Sequence, residues 1–226
     1  SLYQKGINIE AIIDNREEID SKLIKEAEKN NIKIYKGFTV VNTFGYKRIN
    51  KISIMQLSKD GQKVLGSKIS IVCDCLGISG GWTPAVHLFT QSGGKLKFRD
   101  EDQVFIPDFY PSDQISIGSC NGDFTLDEII SSVPNKLKEF LNIKKTDYEN
   151  LEIYSSFNKS KRNIWLLPSD KVIGKTKSFV DYQNDATAKD IKLALREGFR
   201  SIEHVKRYTT TGMGTDQGKL GNMHAL

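Results

Sequence analysis

Residues 7–13, Ile7-Asn-Ile-Glu-Ala-Ile-Ile13, form an apolar run that ends at Asp14, and residues 17–30 then place Ile19, Leu23, Ile24 and Ala27 at helical spacing. A strand, an acid and a helix therefore open the chain. Residues 32–35 read as the next strand, and residues 39–43, 51–57 and 68–73 as three short β segments, broken by Gly45 and by Asp60-Gly61. The order predicts an α/β fold: a parallel strand–helix–strand unit, then an antiparallel meander returning to an apolar strand.

Downstream, Ile71-Val-Cys-Asp-Cys-Leu-Gly-Ile-Ser-Gly-Gly-Trp-Thr-Pro84 reads as an apolar strand running into paired glycines, where backbone approaches a cofactor closely for want of a Cβ. Ile115-Ser-Ile-Gly-Ser-Cys-Asn-Gly122 repeats that scheme. Thr125 is the expected N-cap of a helix from Leu126, with Glu128 in its first turn, and helix N-termini attract phosphate. Residues 136–175 read as a basic connector, with Leu137, Phe140 and Leu141 on a short helix and Ile164-Trp-Leu-Leu-Pro168 as an apolar anchor. Beyond it, Thr187 or Asp185 caps a helix packed through Ile191, Leu193, Ala194 and Leu195; Gly198 ends it, and residues 201–208 form a second. The expected regions are 1–70 (a partial second nucleotide-binding-like domain with the meander), 71–135 (a return to a first NAD-binding domain), 136–175 (connector) and 176–226 (a small helical domain).

Bulk properties narrow the function classes. A hydrophobic content of 38% suits a soluble globular chain, no apolar run is long enough to span a membrane, and no secretory signal opens the sequence, so a cytoplasmic protein is expected. The net charge of +5 is spread among alternating lysines and acids rather than gathered in a stripe with aromatics, which argues against nucleic acid. Cys73, Cys75 and Cys120 fit neither a zinc spacing nor a disulfide framework. Cys73 and Cys75 share a strand face and are expected to be buried rather than redox-active, and His87, His204 and His224 are too scattered to suggest a triad or metal cluster. Ser1-Leu-Tyr-Gln-Lys-Gly6 reads as the last turn of a helix, so a preceding segment is expected, as is a continuation past Leu226. Asp14 reads as a surface acid opening a loop rather than a ribose ligand.

Three stretches are idiosyncratic: Gly80-Gly-Trp-Thr-Pro-Ala-Val-His-Leu-Phe-Thr-Gln-Ser-Gly-Gly-Lys-Leu96, Phe179-Val-Asp-Tyr-Gln-Asn-Asp-Ala-Thr187, and Arg196-Glu-Gly-Phe-Arg-Ser-Ile-Glu-His-Val-Lys-Arg-Tyr-Thr-Thr-Thr-Gly-Met-Gly-Thr-Asp-Gln-Gly-Lys219. From about Asn8 onward the chain resembles the α subunits of heterotetrameric sarcosine oxidases, and its first half is similar to the second nucleotide-binding domain of disulfide-reductase-like flavoproteins. The resemblance implies partial FAD/NAD(P)-binding domains followed by a small helical domain. It implies a complex with β, γ and δ subunits that oxidises sarcosine to glycine with oxygen, releases hydrogen peroxide and passes the one-carbon unit to tetrahydrofolate. FAD would lie in the β subunit, where oxidation occurs, a covalently held FMN at the α/β interface, NAD in the α subunit and folate in a domain downstream. The fragment itself would carry no catalytic residue.

The resemblance also implies that residues 176–226 are similar to a [2Fe-2S] domain whose four ligand positions fall at Asp181, Gln183, Asp216 and Gly221. None is cysteine, so no iron–sulfur cluster or other metal is expected. NAD contacts are expected at Gly118, Ser119, Asn121, Gly122, Phe124 and Leu126, and FMN contacts at Lys206, Arg207, Thr210, Thr211 and Gln217. Two other readings stay open: the corresponding subunit of a related amine dehydrogenase, of N-methylglutamate or proline type, and a non-catalytic adaptor with a vestigial NAD site.

Overall fold

The computed structural model describes residues 2–19, 22–111, 113–142, 164–171 and 176–226. The greater part of the expected connector, 143–163 and 172–175, thus lies outside the described residues. The chain divides into two compact units: the first takes in residues 1–12, 16–36 and 74–163, the second residues 13–15, 37–73 and 164–226.

β1 (Ala11–Asp14) and β2 (Lys33–Lys36) form a two-stranded sheet with α1 (Lys22–Lys29) between them in sequence. Ile19 and Ala27 are buried beside them, as the helical spacing requires, whereas Leu23 stays 72% exposed. The meander follows as read: β3 (Phe38–Gly45), β4 (Ile49–Leu57) and β5 (Val64–Val72) pair antiparallel in that order. Val40, Ile54 and Ile69 stand opposite one another across the three strands. Four consecutive β4 residues, Ile52, Ser53, Ile54 and Met55, are buried, so this central strand is covered on both faces.

The sequence after β5 departs from expectation. Residues 73–86 form no strand or helix; Gly80 and Gly81 lie in open space, and Ile78 and Trp82 are exposed. Cys75 is exposed and Cys73 half-buried, because β5 ends at Val72 and leaves both cysteines beyond the sheet; this corrects the expectation that both are buried. α2 (His87–Gln91) follows, and then a hairpin of β6 (Lys95–Arg99) and β7 (Val104–Phe109) that the sequence did not announce, since lysines and acids mask its alternation. Phe89 is buried with its ring edge-on to Tyr110, centroids 4.9 Å apart.

Residues 115–117 are not a strand; residues Gly118–Asn121 form one 3-10 turn, and α3 (Leu126–Leu141) starts where Thr125 was expected to cap it. α3 runs unbroken through Pro134, so Leu137, Phe140 and Leu141 belong to the same helix as Leu126, and it crosses the boundary drawn at 135/136. Proline inside a helix removes one backbone bond without ending it when the flanking turns hold. Trp165, Leu166 and Leu167 are 41–48% exposed, short of the expected anchor.

The last part of the second unit is β8 (Phe179–Asp181), β9 (Ala186–Thr187), α4 (Ala188–Arg196), α5 (Ile202–Thr209) and the short α6 (Asn222–Ala225). Thr187 is the N-cap of α4, and the Asp190 carboxylate accepts from its N–H at 2.8 Å and its hydroxyl at 2.6 Å. At Gly198 the chain turns back, with the N–H groups of Gly198 and Phe199 donating to the carbonyls of Leu195 and Ala194. Ala194 and Val205 bury where α4 and α5 meet, and Leu195 is 43% exposed.

Candidate cofactor-contacting loops

The expected NAD residues fall in one short stretch of the first unit. The N–H of Gly122 closes the 3-10 turn on the Ser119 carbonyl at 3.1 Å, and that of Asp123 reaches the Gly118 carbonyl at 3.2 Å. Arg99, at the end of β6, pairs with Asp102 through both forks of its guanidinium and donates Nη2 to the Gly122 carbonyl at 2.9 Å. Gly122 has φ +83°, and a Cβ there would lie 2.7 Å from Arg99 Nη2 and 3.0 Å from Ile106 Cγ2. Glycine is therefore required both by conformation and by the approach of Arg99.

The start of α3 is closed by a capping box. Thr125 Oγ1 accepts from the Glu128 N–H at 3.4 Å, and Glu128 Oε2 accepts from the Thr125 N–H at 3.2 Å. Asp123 accepts from the Ser132 hydroxyl at 3.2 Å and pairs with Lys136 at 3.6 Å. Asp123, Asp127 and Glu128 together make the helix start acidic. Carboxylates there complement the helix dipole and repel an added phosphate, so the surface suits ligand hydroxyls better than phosphate. Of the expected residues, Ser119 and Leu126 are exposed, Asn121 and Phe124 half-buried, and Gly122 buried. Cys120 donates its thiol to the Ile117 carbonyl at 3.0 Å.

The second loop belongs to the other unit and is organised from a buried carboxylate. Asp181, at the end of β8, is 5% exposed and is the only buried acidic side chain among the described residues. Its Oδ1 accepts from the N–H groups of Gln183 at 2.8 Å and Asn184 at 3.3 Å, and its Oδ2 from the Gly212 N–H at 2.7 Å and Asn184 Nδ2 at 3.4 Å. Burial alone would raise its pKa, but the N–H groups of Gly212, Gln183 and Asn184 outweigh burial and hold it below the ordinary carboxylate value. Asn184 Nδ2 also donates to the Thr210 carbonyl at 3.0 Å, and Gln183 Oε1 accepts from the Thr215 hydroxyl at 3.2 Å and the Asp216 N–H at 3.3 Å. Turn and loop are thereby stitched together.

The expected FMN residues occupy distinct places in this loop. Thr210 ends α5 with φ +59°, its hydroxyl on the Thr209 carbonyl at 2.6 Å. Thr211 is 1% exposed; its hydroxyl meets that of Thr209 at 2.8 Å, and Thr209 donates onward to the Val205 carbonyl at 2.8 Å. Thr211 thus sets the turn from inside. Gln217 is exposed, with Nε2 on the Gly214 carbonyl at 3.3 Å. Lys206 lies 3.9 Å from Glu203, while Arg207 is exposed and has no ion-pair partner among the described residues. Arg207 lines an open cleft of about 400 Å³ with Phe199, His204 and Tyr208, the Phe199 and Tyr208 rings 4.8 Å apart. Phe199, between α4 and α5, and His204, on α5, were not expected as site residues.

The four positions matched to cluster ligands do come together. A Cβ at Gly221 would lie 3.6 Å from Asp181 Cβ, and Gln183 bonds the Asp216 backbone. Their donors do not fit an iron–sulfur cluster: Asp181 is filled by N–H groups, Asp216 accepts from the N–H groups of Gly218 and Leu220, Gly221 has no side chain, and no thiolate is supplied. No group of three or more His, Cys, Asp or Glu side chains among the described residues is placed to hold a metal ion.

Comparison with known proteins agrees with the second unit most directly. The family model for the sarcosine oxidase A3 domain matches residues 175–226. Sarcosine oxidase subunit alpha of Rhizobium meliloti (strain 1021) is 29% identical over 100% of this chain and 22% of its own length; its namesake from Corynebacterium sp. (strain P-1) is 29% identical over 96% of this chain and 23% of its own. The chain therefore spans less than a quarter of the curated relatives it matches. Among solved structures, L-proline dehydrogenase from P. horikoshii superposes with a TM-score of 0.50 at 19% identity, covering 95% of this chain and 43% of that one, a likeness of mixed α/β fold. Residues 175–226 thus match the family model of the sarcosine oxidase A3 domain, and the chain as a whole is similar to a segment of the curated sarcosine oxidase α subunits.

Proposed function

We propose that this chain is a non-catalytic part of the α subunit of a sarcosine oxidase complex, that the end of α5 and the 210–218 loop hold the phosphate end of FMN, and that the 118–126 loop contacts NAD through its ribose hydroxyls. The observation that carries the reading is the pair of cations at the C-terminus of α5, Lys206 and Arg207, beside a loop that turns back on Thr210. Cations there complement the helix carbonyls, and an unpaired guanidinium is suited to bidentate phosphate recognition. FMN, when bound, supplies an electron-accepting ring; the residues of this chain position it and do not move protons. The proposal places FMN at an interface with a β subunit that holds FAD, includes γ and δ subunits, and assigns folate to a further domain.

The complex assembled with its flavoprotein partner should form hydrogen peroxide with sarcosine. Turnover with proline or N-methylglutamate and none with sarcosine would replace the substrate assignment with that of a related dehydrogenase. The acidic start of α3 favours a second reading for NAD alone, a vestigial site in a structural adaptor. Equilibrium dialysis of the complete subunit decides it: no uptake of NAD at millimolar concentration selects the adaptor.

A further inference from the structure

We infer that Asp181 is a positioning residue, whose buried carboxylate holds the 210–218 loop in the form that presents Gln217 beside Arg207 of α5; this rests on the flavin-site reading above. Asp181 stands at the end of β8, 31 residues before Gly212 in sequence, yet its Oδ2 takes the Gly212 N–H at 2.7 Å. Gly212 is fully enclosed, with φ +70° and the Asn222 side chain of α6 packed where a Cβ would go. The loop has no strand or helix of its own between Thr210 and Gly218; it has turn bonds from the Met213 N–H to the Thr210 carbonyl and from the Gln217 N–H to the Gly214 carbonyl, and side chains supply further partners. Asp181 serves Gly212, Asn184 serves the Thr210 carbonyl, and Gln183 serves Thr215 and Asp216, all from the one turn between β8 and β9. A buried carboxylate with four hydrogen bonds is costly to leave unmatched, so the turn and the loop order together. Asp181 itself does not face the cleft: it acts through the loop, while Arg207 and Gln217 are the exposed groups.

The test is carried out on the chain assembled with its partner subunits. In Asp181→Asn, amide exchange at Gly212 should rise at least tenfold while the amides of α4 keep their protection. The share of assembled complexes that acquire FMN should fall about tenfold, with NAD retention unchanged; a merely unstable subunit would lose both. Should Asp181→Asn fail to fold, Gln183→Ala frees only the Thr215–Asp216 end, and the same two readouts should move by about threefold. Gly212 exchange within twofold of the parent overturns the inference, as does faster exchange with unchanged FMN retention. Arg207→Ala run in parallel separates the two proposals: if it too keeps its FMN, the flavin site itself is misplaced.

Discussion

The 118–128 loop and the 210–218 loop are built from the same parts and carry opposite charge. Each joins a left-handed turn to a helix end, and in each a charged side chain at a strand end ties the turn: Arg99 from β6 on the Gly122 carbonyl, Asp181 from β8 on the Gly212 N–H. In the first, a cation ties a carbonyl and the helix start is ringed by Asp123, Asp127 and Glu128. In the second, an anion ties an N–H and the helix end carries Lys206 and Arg207. The charged side chains at the helix ends set the difference: carboxylates surround the first turn and cations the second, which is why the proposed ligand groups differ, hydroxyls in one unit and a phosphate in the other.

The comparison breaks most visibly at the tethers. Asp181→Ala removes a buried acceptor of four hydrogen bonds and should cost about 3 kcal/mol in urea unfolding, whereas Asp123→Ala, half-buried with a hydroxyl, a side-chain amide and a lysine as partners, should cost about 1 kcal/mol. Equal losses would mean that the two acids play the same part. Next comes Gly122→Ala, which forces a side chain into φ +83° and against Arg99, and should cost about 2 kcal/mol by the same assay. Double substitution with Arg99→Ala should recover part of that loss, since the steric conflict goes and the φ penalty stays.

Acid sharpens the contrast in the second unit. The Asp181 carboxyl is held low by backbone N–H groups in spite of its burial, and that of Asp190 by the Thr187 hydroxyl and N–H. An unfolded aspartate titrates near about 3.9, so between that value and the lower folded one the unfolded chain binds more protons and stability rises with pH. The stabilisation is fully present above about pH 5 and is lost as pH falls through the folded values. A urea midpoint followed from pH 6 to pH 3 should drop, and Asp181→Asn should flatten part of that slope. Smallest of the set, Thr125→Ala should cost about 1 kcal/mol by removing one arm of the α3 capping box.

The reading of the sequence reached what local pattern encodes. Apolar alternation gave β3, β4 and β5, Thr125 with Glu128 gave the start of α3, and Gly198 gave the turn between α4 and α5. It failed where charge masks periodicity, in the β6–β7 hairpin, and where Cys73 and Cys75 were placed on a buried strand that ends at Val72. Arg99, Asn184 and Asn222 were missed because their roles depend on partners 23 or more residues away, or on the packing of α6 against a loop, and neither leaves a local signature. Asp181 and Gln183 were found for a different reason, as positions matched to cysteines. The structure shows what stands there instead, a hydrogen-bonded acid and amide that hold the same turn.

The opposite polarity of the two loops is tested most directly by the flavin content of the assembled complex after Lys206→Ala with Arg207→Ala, compared with Ser119→Ala with Asn121→Ala. Ser119 and Arg207 are exposed and Asn121 and Lys206 half-buried, so both pairs should leave unfolding within about 1 kcal/mol of the parent. With the first pair most assembled complexes should fail to acquire FMN while NAD stays in place, and the second should weaken NAD and leave FMN in place. FMN retained in full by the Lys206 and Arg207 pair, or lost equally from both, would contradict the account.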